Sequence, residues 1–141
     1  MKKAWLVLFI GILNACSLFQ EPQDSRSANQ NVIPIFEKPE LPPNFKLEPT
    51  FESIKVGFIE QKCLYCHQPG HKAERVPMST REDLVDSPLE IVIPGNSEES
   101  GILLVIAADA RKPMPPKNSG APAVTAEDIA ILRQWIDQGA P

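Results

Sequence analysis

The sequence predicts a small all-α domain, on three observations. Thr50, Asn96 and Thr125 each stand just ahead of apolar residues spaced three and four apart, the pattern of a capped amphipathic helix. The one strand-like run, Leu89 to Ile93, has no partner run elsewhere and is followed at once by Pro94-Gly95, so an extended connection is favoured over a sheet. The third observation is that 15 prolines against 7 glycines in 141 residues leave long stretches with neither period. The expected domain has four helices or fewer, joined by long irregular connections.

Residues 1–15 have the layout of an export signal: Lys2 and Lys3, an apolar run from Ala4 to Leu13, then small residues before Cys16. That run is too short to span a bilayer, which takes about 20 apolar residues. Leu13-Asn14-Ala15-Cys16 resembles the lipobox of bacterial lipoproteins, which implies acylation of Cys16, and Ser17 resembles outer-membrane sorting in that family. The expected location is therefore the periplasmic side of the outer membrane, on a lipid anchor. Several acyl chains would hold stably, since each buried methylene contributes about 0.8 kcal/mol. Residues 16–49, rich in Gln, Asn, Ser, Glu and Pro, read as a disordered tether spanning on the order of 30 Å. The alternative is a wrap packed on the domain, for which Val32, Ile33, Ile35, Phe36 and Phe45 are apolar enough.

Residues 50–141 form the expected domain. Phe51, Ile54, Phe58 and Ile59 predict a first helix from Phe51 to Lys62, running directly into Cys63. Ser79-x-x-Glu82 resembles a capping box and predicts a short helix ended by Pro88. Asn96-x-x-Glu99 predicts a third over Ser97 to Ala108, buried around most of its circumference by Ile102, Leu103, Val105 and Ile106. Thr125-x-x-Asp128 opens the last, with Ile129, Leu132 and Ile136 in one stripe, Ile131 and Trp135 beside it, and Gly139 where a C-terminal glycine belongs.

A formal charge of −4 argues against nucleic acid or an anionic membrane surface as partner. With 43% apolar residues, part of them in the leader, so small a domain has a marginal core unless a staple or cofactor adds apolar volume. Three cysteines in different contexts do not make a disulfide framework.

Cys63-Leu64-Tyr65-Cys66-His67 names the cofactor, because Cys-x-x-Cys-His is the attachment sequence for c-type haem. Two thiols at this spacing reach the two vinyl groups, and the next residue is then held beneath the ring, where a neutral imidazole binds iron as the proximal ligand. One covalent haem per chain is expected. A zinc site would need more ligands than His71 supplies, and a thioredoxin-like pair would sit beside a βαβ pattern and leave His67 unexplained. The distal ligand is a choice among Met114, Met78 and His71. Three prolines hold Lys112-Pro113-Met114-Pro115-Pro116 extended, so the Met114 sulfur is presented with little ordering cost. Met78, just ahead of a helix cap, reads as a packing residue aimed away from the haem slot, and His71 as a solvated loop residue.

These segments, with Pro94-Gly95-x-x-x-x-Ser100 and the ending Trp135-Ile136-x-x-Gly139-Ala140, resemble the single-haem cytochrome c domains, particularly the bacterial kind attached to larger proteins or made as lipoproteins. The resemblance covers Thr50 to Pro141. It implies a cytochrome c-like helical fold around the haem, with Met114 as distal ligand. It also implies first and last helices that cross, with Gly57 against the face carrying Trp135, and the two helices walling a slot between His67 and Met114.

The function expected is electron transfer by an electron carrier, not an enzyme, exchanging electrons with redox partner proteins. A haem-based gas or redox sensor and a cytochrome subunit of a larger oxidoreductase complex are the alternatives; a catalytic subunit such as a peroxidase is disfavoured, since one haem and so short a chain leave little room for a second cofactor or a substrate pocket. Arg111, Lys112 and Lys117 flank the Met114 loop as a candidate basic rim for an acidic partner or the haem propionates.

Overall fold

The structure, a computed structural model, describes residues 37–141. The leader, Cys16 and the tether up to residue 36 lie outside the described residues. Among the described residues there are helices and no strand, and no helix is long and apolar enough to cross a membrane.

Thr50 caps the first helix: its backbone is extended and its hydroxyl accepts the Ser53 N–H at 3.3 Å. Only Phe51–Ile54, α1, is α-helical. The chain continues as a π-helix over Lys55–Cys63 and closes with Leu64 N–H donating to Ile59 O at 2.9 Å, five residues back. The expected single α-helix is thus corrected. The wider i→i+5 turn changes which side chains share a face from those an α-helix would bring together. Ile54, Phe58 and Ile59 are fully buried.

Gly57 lies not against the last helix, as the resemblance implied, but under Phe45. A Cβ at Gly57 would overlap the Phe45 ring and stand 2.9 Å from Leu47 Cδ1. Pro39 O accepts from Gln61 Nε2 at 3.0 Å, so the described end of the proline-rich segment is a wrap on the π-helix.

The second helix, α2 over Arg81–Val85, starts one residue later than expected. Thr80 and Asp83 form the capping box, and the Asp83 carboxylate also accepts the Ser79 N–H at 2.9 Å. Ser79 and Thr80 are both competent caps, and the shorter acid at 83 reaches both amides. Leu89 to Ile93 forms no strand but is an irregular rather than an extended connection, with Leu89 in a turn, Glu90 at φ +51° and Ile91 at a bend, and it buries Ile91 and Val92. Glu90 O and Ile91 O accept the N–H groups of Gly101 and Ile102, each at 2.9 Å. Those are first-turn amides that a helix leaves without internal partners. This connection therefore fixes the start of α3, which covers Gly101–Ile106 rather than 97–108. Asn96 and Glu99 bond to each other in the turn ahead of it. Nor is α3 buried all round, for Leu104 and Val105 are exposed.

The last helix, α4 over Ala126–Asp137, opens with the expected Thr125–Asp128 capping box. It closes in a Schellman turn: Gly139, at φ +92°, donates to Ile136 O, and Ala140 donates to Trp135 O. Trp135 is fully buried, stacks at 6.2 Å from Phe51 and donates Nε1–H to Pro141 O. Bonds from Arg81, Gly95 and Ser97 converge on the same end of α4.

Candidate functional site

The π-helix delivers Cys63 at its last residue, and the chain then turns tightly, with Cys66 N–H and His67 N–H both donating to Cys63 O at 3.1 Å. Leu64 is buried and Tyr65 exposed, while the two thiols and the imidazole are half-buried. All three line one cavity of about 410 Å³. Its walls are almost wholly apolar: Phe58 from the π-helix, Val76 and Met78 from the segment before α2, Ile102 and Ile106 from α3, and Met114 from the proline loop.

His67 is oriented by one bond, Nδ1 to Val76 O at 3.0 Å. A carbonyl only accepts, so Nδ1 carries a proton, and in the neutral tautomer this selects, the lone pair lies on Nε2. Burial pushes the Cys63 thiol up to about 12 from an ordinary 9.0; Lys62 opposes this, while Asp128 and Cys66 add to it. In the folded chain Cys63 therefore persists as a thiol across the neutral range.

Met114 reaches the cavity from a loop whose amide donates to Val105 O at 2.8 Å, tying it to α3. Its side chain remains partly open to solvent. Two expectations are corrected here. Met78 does not point away: it is buried and lines the same cavity as Met114. No residue of α4 lines the cavity; its second helical wall is α3, because the connection through Ile91 and Val92 packs α3 into that place. His71 is not among the lining residues and meets the edge of Tyr65, ring centroids 5.9 Å apart. Arg111, Lys112 and Lys117 are exposed and also stand outside the lining. Sequence reasoning missed Lys62, which lines the cavity and whose ammonium pairs with Asp128.

Residues 63–118, from the first thiol past the proline loop, match the family described as Planctomycete cytochrome C. The match supports a cytochrome c-type family. No curated protein matches the chain, and neither does any solved structure. A cytochrome c-type family implies covalent haem c and suggests an electron carrier rather than an enzyme. The residues present fit that cofactor. The volume lies within the roughly 300 to 1,000 Å³ of small-molecule and cofactor sites, and the donor set is two thiols, an imidazole with its outer nitrogen bare, and thioether sulfurs in an apolar enclosure.

Proposed function

We propose that this chain carries single electrons as a one-haem c-type cytochrome, tethered to a membrane on the periplasmic side through acylated Cys16. The observation that carries the reading is the convergence of Cys63, Cys66, His67 and Met114 on one apolar cavity. In this reading Cys63 and Cys66 hold the haem by thioethers, His67 Nε2 is the proximal iron ligand and Met114 the distal one. The haem, when bound, supplies a reversible ferric–ferrous couple. The chain's residues do the rest. Val76 O fixes the imidazole tautomer and ring direction, the apolar walls exclude water, and methionine ligation with burial favours the less charged ferrous form. With both axial places filled, nothing small is bound or turned over, which sets an electron carrier apart from a sensor. Electrons come from and leave to redox partner proteins.

The test is covalent attachment. Cys63→Ala or Cys66→Ala is expected to reduce haem staining on denaturing gels, and the double variant to abolish it. Full staining of the double variant would sink the assignment.

A further inference from the structure

Lys62 stands one residue before Cys63 and is among the residues lining the cavity. Its Nζ lies 3.3 Å from Asp128 Oδ2 and donates to Ala123 O at 2.7 Å. The Lys62 and Asp128 side chains are only 10% and 11% exposed. Each of the other ion pairs among the described residues keeps a partner at least 41% exposed. Desolvating two charges to this degree costs several kcal/mol, and apolar replacements of buried pairs are often as stable, so fold stability is a weak reason for this one. Both charges are felt at the cavity wall, where they act on the Cys63 thiol in opposite senses. They are not equivalent, since Lys62 lines the cavity and Asp128 does not. Asp128 Oδ2 is further held by the Thr125 N–H at 2.7 Å, which fixes the compensating charge in place.

Resting on the one-haem reading, we infer that the Lys62–Asp128 pair sets the reduction potential of the group bound at Cys63, Cys66 and His67. The near ammonium favours the reduced form, and the more distant carboxylate trims that effect. In the couple, one electron from the donor protein converts ferric to ferrous iron and leaves again to the acceptor; no bond to Lys62 or Asp128 forms or breaks. Lys62 is a positioning residue in this scheme, acting through its field.

The experiment is a spectroelectrochemical titration of the full-length, haem-loaded protein against Lys62→Met, Lys62→Arg, Asp128→Asn and the Lys62→Met/Asp128→Asn double variant. Lys62→Met is expected to shift the ferric-to-ferrous ratio at fixed ambient potential about tenfold toward ferric, which is about 59 mV for one electron. Asp128→Asn is expected to shift it toward ferrous, with the capping box kept because an asparagine amide oxygen can still accept the Thr125 N–H. Lys62→Arg stays near wild type, and the double variant falls between the singles. If Lys62→Met does not fold, Asp128→Asn and Lys62→Arg still decide. An Asp128→Asn potential that is unchanged or moves negative overturns the inference, as does a Lys62→Arg shift as large as that of Lys62→Met. Wild-type protein without c-type haem in its denatured pyridine spectrum overturns the one-haem reading and this inference with it. A normal spectrum with coincident potentials overturns the inference alone.

Discussion

Met78 and Met114 both reach the cavity, yet they arrive from different places in the chain. Met78 follows Val76, whose carbonyl holds the His67 ring, so it belongs to the segment that backs the histidine. Met114 comes from a separate loop tied to α3, a better origin for a ligand opposite the histidine. Met114→Ala is therefore expected to abolish the far-red sulfur-to-iron band, lower the potential and admit carbon monoxide. Met78→Ala is expected to keep the band while costing about 2 to 5 kcal/mol of stability. Absorption spectra and urea titration check both; loss of the band in the Met78 variant alone would reverse the assignment. At this scale the sequence revealed whatever was contiguous. Cys63, Cys66 and His67 are legible because attachment chemistry demands adjacent residues, and Met114 because prolines flag a stiff loop. The Lys62–Asp128 pair was not, since nothing local says that a lysine will meet a chain segment 61 residues away.

Gly57 illustrates how an element depends on what lies over it. Alanine there gains helix propensity of about 1 kcal/mol in an open helix, but its Cβ overlaps the Phe45 ring, which has to swing off. Gly57→Ala is expected to loosen the wrap and speed tryptic cleavage after Lys46 several-fold, followed by mass spectrometry, with helix content unchanged. Equal cleavage rates would show that the Phe45 contact does not hold the wrap. The same dependence explains which helix ends could be read. Thr125 with Asp128 and Thr50 with Ser53 are signals complete within four residues, and both starts are where the sequence puts them. The start of α3 is set by Glu90 O and Ile91 O, and the π-helical course of Lys55–Cys63 leaves no mark in an apolar period that an α-helix shares.

Over the whole molecule the chain divides its tasks by position, with the anchor proposed at Cys16 and the cavity built from Phe58 onward. Cys16→Ser is expected to release the protein from membranes with its haem spectrum intact, read by fractionation after a high-salt wash; a variant still in the membrane fraction would rule out the lipid anchor. The all-α class was legible because capping signals recur along the chain and Leu89 to Ile93 lacks a partner, whereas the choice of α3 over α4 as the cavity wall needed the packing itself. One feature of that packing bears on assembly in time. The partners that shut Lys62 in, Ala123 and Asp128, come late in the chain, and synthesis runs from the N-terminus. Both thiols precede nearly all the residues that line the cavity with them, so Cys63 gains the burial that raises its pKa only when those later segments pack. An unfolded chain therefore offers an ordinary, accessible thiol, and the packing of the segments up to the proline loop closes it off.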